Sequence, residues 1–470
     1  MRLPLLTRLA ALGILAYGRA LGQPAVPVVP QAAASASTPA APDAGASYES
    51  NLLGGMFGLR PVLDANGLTL NLTDTSEGLG NPTGGLRQEG VFEGFGFGSL
   101  ALDGGKAGLW GGFSAQVSAW EIYGRGLTAN ALGNLHTISN VEADRALLLF
   151  ELWVEQAMPD GRASLRVGQQ AADQEFMVDQ NAALFINAHY GFPDLPSNDL
   201  PSGGPAYPLG TPAVRLKLLP SDSVTLLLAL FNGDPVPPGS GGDPQAHEGG
   251  GTAFRTNGGA LWFAEAQWAR NQGKDAAGLP GTFKIGAWYH SGFFADQRFG
   301  ADGLSLADPA SDGKPLLRHG DYSVYALADQ TIWRPPGATD GGVNGFVRIM
   351  GAPADRNLVE FSFDGGLTWK GVFPSRGDDT AGLGLEWARV GDQASKLDGD
   401  IARFAGEPYP VRRWEAVLEL TYQAQIRAWW QVQPDMQYVV RPGGGIAQLD
   451  DPGQRAGDAL VLGLRSIVTF

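Results

Sequence analysis

Apolar and polar residues alternate along most of this chain, from about Gly67 to its last residue. Stretches of roughly 8 to 15 residues keep this period of two and are separated by Gly, Pro, Asp and Asn. The clearest is RWEAVLELTYQAQIRAWWQVQPDMQYVVRP, in which Leu418 and Tyr422 lie on one face and Glu415 and Glu419 on the other. Because successive side chains of a strand point to opposite faces, the pattern predicts β-strands with one apolar and one polar face.

About sixteen such strands follow one another. We therefore predict an all-β fold, a transmembrane antiparallel β-barrel of about 16 strands with at least one long inward-folded loop. Half-buried strands of a soluble sandwich or propeller alternate in the same way. The barrel is favoured because the strands are long, many apolar faces end in Trp, Tyr or Phe, and the opposite faces carry charges that a water-filled lumen keeps hydrated.

The first residues predict export. The sequence MRLPLLTRLAALGILAYGRALGQPA combines a basic start, an apolar run too short to span a bilayer and small residues before a cleavage site, so residues 1–22 are predicted to be a signal peptide. Residues 23–50, rich in Ala, Pro and Ser, are predicted to be a disordered periplasmic spacer. Residues 51–66 form a short N-terminal segment with some helical periodicity, and residues 67–470 form the barrel.

Composition narrows the function further. The 470 residues carry a net charge of −15, which argues against a nucleic-acid partner because such a partner needs a basic protein face. The chain has no cysteine and its five histidines have no ligand-like spacing. Catalytic signatures such as G-x-S-x-G, H-E-x-x-H and the Walker A loop are absent from the sequence. We therefore expect no enzyme activity, no metal and no cofactor.

One connection between predicted strands is much longer than the others. In the stretch from Ala163 to Leu219, a strand ends near Gly168 and the next begins at Thr211, which leaves roughly forty residues between them. In a barrel, such a connection either covers the mouth or folds into the lumen and narrows it. Its Asn and Tyr side chains offer hydrogen-bond partners and stacking surfaces to a sugar; an outward-facing lid without a ligand is the alternative.

Motifs spread over nearly the whole chain resemble the carbohydrate-selective porins of Gram-negative outer membranes. They include SEGLGNPTGG, ELWVEQ, LRVGQQAADQEF, LFINAHYG, FNGDP, YHSGFFAD, VYALADQTIWRP, GFVRIMGAPADRN and QPDMQYVVRPGG, in the order and spacing of that family. The resemblance implies a sixteen-stranded outer-membrane barrel that passes sugars, glucose above all, by facilitated diffusion. A general or anion-selective porin and an exported soluble β-rich carbohydrate-binding protein are the alternatives that the residues leave open.

A neutral sugar is not attracted by net charge, so its path needs hydrogen-bonding groups that replace part of its water shell and bind it weakly. The same side chains would serve equally well as ion pairs that only line a lumen, which is the alternative for each of them. The candidates for the substrate pathway and its constriction are Arg166, Asp173, Glu175, Asn187, Tyr207, Arg215, Lys217, Glu151, Glu155, Trp288 and Arg348.

The chain ends on an alternating strand, LVLGLRSIVTF. Leu462 and Leu464 are expected to face lipid and Arg465 the pore, and this strand is expected to pair with the first one, because a frayed end would leave an open edge in hydrocarbon. In the family that the chain resembles, a terminal Phe is recognised by the outer-membrane assembly machinery, so Phe470 is the expected assembly signal. The expected partners are the lipid bilayer, small neutral sugars and that machinery; a homo-oligomer is also compatible with such a barrel.

Overall fold

The computed structural model describes residues 48–470 apart from 239–242, 273–275, 277 and 337–340. Within this part of the chain, sixteen antiparallel strands each pair with the next, and the first pairs with the last to close a barrel. The strands are β1 Leu68–Gly85, β2 Gly90–Asp103, β3 Phe113–Gly124, β4 Ala146–Ala157, β5 Ala163–Gln170, β6 Thr211–Ser221, β7 Val224–Asp234, β8 Arg255–Arg270, β9 Gly281–Gly300, β10 Pro315–Trp333, β11 Gly342–Gly351, β12 Val359–Lys370, β13 Thr380–Val390, β14 Trp414–Arg427, β15 Trp430–Val440 and β16 Gly457–Thr469. The predicted sixteen-stranded barrel is confirmed.

The two faces of the strands are arranged oppositely to those of a soluble protein. On β14, Leu418 and Leu420 point outward and are 46% and 49% exposed, whereas Glu415 and Glu419 point inward and are fully buried. An apolar outer band around a polar interior is the arrangement of a barrel that stands in hydrocarbon.

The two ends of the barrel differ. At one end the strands are joined by short turns, such as 222–223 and 428–429, and β1 begins and β16 ends there. At the other end lie long loops, including 125–145 and 171–210. Bacterial outer-membrane barrels place short turns in the periplasm and long loops outside the cell, so we call these the turn end and the loop end and assign them accordingly.

Two loops fill the lumen at the loop end, where the sequence pattern pointed to one. The first inward loop, residues 125–145, and the second inward loop, residues 171–210, are joined by hydrogen bonds from the Asn140 amide to the Ile186 carbonyl (2.8 Å) and from the Ala188 amide to the Thr137 carbonyl (3.0 Å). Their apolar side chains pack against the inner wall of the barrel; the buried members include Leu127, Leu132, Ile138, Val141, Phe176, Phe185, Phe192, Leu195 and Leu200. The hydrophobic core of this protein therefore lies inside its barrel.

The described part of the chain also contains three α-helices: α1 Leu59–Ala65 before β1, α2 Asp194–Asp199 in the second inward loop, and α3 Asp392–Ala405 between β13 and β14. Among the described residues, no helix is both long and apolar enough to cross a membrane. Residues 48–50, the end of the predicted spacer, form a short 3₁₀ helix. The predicted signal peptide and nearly all of the predicted spacer lie outside the described residues.

Candidate functional site

A cavity of about 710 Å³ occupies the lumen between the second inward loop and the turn end. Its lining combines many uncharged polar side chains with apolar ones and six charged ones, and residues from twelve strands, from both inward loops and from the β14–β15 turn contribute to it. Eight of the lining side chains are glutamines, namely Gln116, Gln174, Gln180, Gln267, Gln423, Gln425, Gln431 and Gln433. We call this space the vestibule. Its amide and hydroxyl groups both donate and accept hydrogen bonds, so it suits an uncharged polar solute.

A row of charges lies at the rim of the vestibule because three neighbouring strands are in register. Glu155 of β4 is directly opposite Arg166 of β5, which is directly opposite Arg215 of β6. The second inward loop adds Glu175 to the row. We call these four residues the rim cluster.

The rim cluster is closely paired. Glu155 Oε2 accepts hydrogen bonds from Arg166 Nε (2.8 Å) and Arg215 Nη2 (2.9 Å). Glu175 lies 2.6 Å from Arg215 Nε and 3.3 Å from Arg166 Nη2. Two arginines and two glutamates sum to no net charge. The cluster therefore presents strong hydrogen-bonding groups without a net field that would favour ions of one sign.

The members of the rim cluster differ in their access to the lumen. Arg166 and Glu175 line the vestibule, whereas the Arg215 side chain is only 2% exposed and supports them from behind. The Arg166 guanidinium lies over the Trp153 ring, 3.8 Å from its centroid, and Trp153 also lines the vestibule. Stacking fixes the plane of the guanidinium, so the rim presents a flat, oriented donor beside an aromatic surface.

Two further predicted residues lie on the same wall. Lys217 is two positions beyond Arg215 on β6 and lines the vestibule. Glu151 of β4 also lines it and accepts a hydrogen bond from Gln116 Nε2 at 2.9 Å. The structure thus brings Glu151, Arg166 and Lys217 together with Glu175 around a single space.

Arg348 lies elsewhere, as a buried anchor of the second inward loop. Its side chain is fully buried on β11, and its Nε donates to Asp364 Oδ2 at 2.8 Å. Its two Nη atoms donate to main-chain carbonyls of the second inward loop, those of Met177, His189, Tyr190 and Gly191. Arg348 thus holds the loop in the lumen from behind, away from the vestibule lining.

The remaining predicted residues are buried in the packing of the loops. Asn187 is fully buried and donates to Gln437 Oε1 at 3.1 Å, and the Tyr207 hydroxyl donates to the Val141 carbonyl at 3.2 Å. Trp288 is 1% exposed within the apolar core. Asp173 accepts a hydrogen bond from the Tyr207 amide, and burial raises the pKa of its carboxyl to about 7.

Two carboxylates of β14 hold the inward loops in a way that the sequence pattern did not indicate. Glu415 accepts the main-chain amides of Leu135 and His136, each at 2.8 Å, from the first inward loop. Glu419 accepts the amides of Ile186 (2.6 Å) and Asn187 (3.1 Å) from the second. The sequence signal for them was their place on the polar face of β14, but their partners lie more than 200 residues away.

Known proteins are similar to this chain in architecture and in sequence. Residues 100–470 match the family described as carbohydrate-selective porin, OprB family. Porin B of Pseudomonas aeruginosa is 24% identical over 89% of this chain and 91% of its own, and the putative porin QuiX of Acinetobacter baylyi is 23% identical over 85% and 90%. Two structures of Pseudomonas putida OprB share the fold: the high-pH structure has a TM-score of 0.79 at 21% identity, and the low-pH structure 0.55 at 16%; each match covers 90% of this chain and 99% of that one. The chain therefore belongs to the carbohydrate-selective porins of the OprB family.

Proposed function

We propose that this outer-membrane porin admits glucose and related neutral sugars by passive, facilitated diffusion, and that the rim cluster together with Trp153 forms the constriction that selects them. Arg166 and Glu175 face the passing sugar, and Glu155 and Arg215 hold these two side chains in place. The observation that carries the proposal is the Arg166 guanidinium, stacked on Trp153 at the edge of a glutamine-lined vestibule.

The charge balance of the rim cluster supports selection of neutral solutes. A constriction with an excess of Lys and Arg would favour anions, and one with an excess of Asp and Glu would favour cations. Paired arginine and glutamate side chains offer donors and acceptors at the same place, which hydroxyl groups can use in succession as they lose water. Trp153, on which the Arg166 guanidinium is stacked, fixes the orientation of these donors.

The vestibule supports release of the sugar. Gln and Thr side chains such as Gln267, Gln431 and Thr225 form neutral hydrogen bonds, which are about half as strong as charge-assisted ones. A solute that leaves the charged rim therefore enters a space that binds it more weakly, as efficient conduction requires.

The test is block of single-channel current by glucose in a planar bilayer, compared between the wild type and Arg166→Ala. Arg166→Ala removes one charge-assisted hydrogen bond to the sugar, which contributes about 1.5–3 kcal/mol. The glucose concentration that gives half-maximal block should therefore rise by about tenfold or more. The cluster then has an excess negative charge, so the channel should also become more cation-selective. Arg162→Ala, at an exposed turn of the same strand pair, is the matched control.

The possible outcomes test the location of the constriction and the function as a sugar porin separately. Unchanged glucose block in Arg166→Ala would show that the constriction lies elsewhere. Free ion flow without any sugar block in the wild type would instead favour a general diffusion porin.

A further inference from the structure

The segment that precedes β1 exposes an unusual amount of apolar surface. Five large apolar side chains between residues 52 and 62 are exposed, and Phe57 is completely so; they are Leu52, Leu53, Phe57, Leu59 and Val62. Contiguous exposed apolar residues mark a surface that contacts another apolar phase or a partner. We call residues 52–62 the seam segment.

The seam segment is fixed to the point where the barrel closes. The Leu52 amide donates to the Thr469 carbonyl at 2.7 Å. Arg60 is buried; its Nη1 donates to the Leu70 carbonyl at 2.7 Å and its Nη2 to the main-chain oxygen of Phe470. These bonds hold the segment against both strands of the β1–β16 pair.

The position of Arg60 follows from the register of the closing pair. Thr469, the last residue of β16, is opposite Thr73, whereas β1 already begins at Leu68. The start of β1 therefore extends beyond its neighbour, and Arg60 satisfies the Leu70 carbonyl on that overhang. An unpaired carbonyl at the membrane boundary would be costly.

The seam segment lies at the rim of the turn end, where β1 begins and β16 ends. On this side, Asn71, Thr73 and Thr469 line the vestibule. Among the described residues, the vestibule lining includes none from 48 to 66. The exposed apolar side chains are therefore available to the surroundings of the barrel.

Other exposed aromatic residues mark the membrane boundary at the turn end. Trp110 lies in the β2–β3 turn, Trp268 near the end of β8, Trp333 at the end of β10 and Trp369 near the end of β12. Aromatic side chains concentrate at such boundaries because they combine an apolar ring with tolerance of the polar headgroup region. Between β16 and β1 there is no turn to carry one, and Phe57 of the seam segment is the exposed aromatic residue there.

The backbone conformation at Phe57 also supports contact of this residue with lipid. Met56 and Phe57 have positive φ angles of 47° and 56°, which non-glycine residues rarely adopt. Such strain persists where the surroundings compensate for it. In water, a fully exposed Phe gains nothing from this conformation, whereas in lipid it buries its entire ring.

We propose that the seam segment lies in the headgroup–acyl boundary of the periplasmic leaflet, with Phe57 inserted among lipid chains, and that it completes the aromatic girdle where the barrel closes. The occupant of this surface is lipid, because the segment is bonded to the β1–β16 pair at the turn-end edge of the apolar outer band, which on β16 includes the exposed Leu462 and Leu464. The inference concerns membrane contact and is independent of the solute that the pore admits.

The absence of cysteine from the sequence allows a direct test. Single-cysteine variants of the full chain, Phe57→Cys, Leu464→Cys and Glu49→Cys, are labelled with an NBD fluorophore and reconstituted in phosphatidylethanolamine–phosphatidylglycerol vesicles. Leu464 is the lipid-facing control, and exposed Glu49 is the water-facing control. Fluorescence is measured with nitroxide-labelled lipid and, separately, with aqueous iodide.

We expect nitroxide lipid to quench the label at position 57 as strongly as at 464, and iodide to quench only the label at position 49. The proposal is overturned if position 57 behaves like position 49. Protection from both quenchers would also overturn it, because a second copy or another protein would then cover the segment. Should Phe57→Cys fail to form a heat-modifiable barrel, Val62→Cys gives the same readout from the same exposed surface.

Discussion

Replacing Arg348 should release the second inward loop and widen the pore. Arg348 forms an ion pair with Asp364 on the neighbouring strand. It also donates hydrogen bonds to four main-chain carbonyls of the second inward loop. The Arg348→Met variant keeps much of the side-chain volume but removes every one of these bonds. The loop then loses its hydrogen bonds to β11.

The size of the effect follows from these contacts. Each hydrogen bond to a charged group contributes about 1.5–3 kcal/mol, and leaving a buried partner such as Asp364 unpaired costs about 3–5 kcal/mol. We therefore expect Arg348→Met to lower the free energy of unfolding by about 3–5 kcal/mol. The double variant Arg348→Met/Asp364→Asn should recover part of this loss, because it leaves no buried unpaired carboxylate.

Conductance distinguishes loop release from simple destabilisation. Both the single and the double variant should show larger single-channel conductance and weaker block by glucose, because both lack the anchor. Arg389→Met is the matched control, since Arg389 is half exposed and its ion pair with Glu360 contributes about 0–1 kcal/mol. Wild-type conductance and glucose block in a folded Arg348→Met barrel would refute the role of Arg348 as the loop anchor.

Three further perturbations test other parts of the structure. Deleting Phe470 removes the residue whose main-chain oxygen binds Arg60, so the yield of heat-modifiable barrel should fall; a normal yield would contradict this role. Burial raises the pKa of Asp173 from 3.8 to about 7. The folded protein therefore favours the neutral carboxyl, and the free energy of unfolding should fall by roughly 4 kcal/mol as pH rises through that range. In urea unfolding, the free energy of unfolding of Asp173→Asn should fall less than that of the wild type over this pH range. Parallel pH profiles of the two proteins would show that Asp173 does not have a raised pKa. A side chain at Gly384 would lie 2.2 Å from the Tyr190 hydroxyl, so Gly384→Val should displace the second inward loop and raise conductance, whereas unchanged conductance would show that the loop tolerates the added volume.

The barrel could be predicted from sequence because its rule is local. In a strand, the side chains at Leu418 and Glu419 must point to opposite faces, so the sixteen-stranded barrel was predicted correctly. The start of β6 at Thr211 was also predicted, because the long connection before it lacks alternation. The first inward loop was overlooked although its length of roughly twenty residues exceeds that of an ordinary hairpin.

The placement of site residues could be predicted only in part. Glu155, Arg166 and Arg215 share the inward face of adjacent strands, and strand order alone brings them together. Whether Arg348 or Tyr207 faces the lumen depends instead on how the loops fold back. That arrangement rests on bonds such as the one from the Leu135 amide to Glu415, between residues 280 positions apart, which no local pattern encodes.

The most direct measurement of the central claim is the single-channel current of the wild-type porin in a planar bilayer as glucose is added to one side. If a neutral sugar enters and binds weakly at the rim cluster, ion current must fall with glucose concentration and approach a limit as the site fills. The account predicts this saturable block, reversed when glucose is removed. An ion current that does not change at high glucose concentration would contradict it.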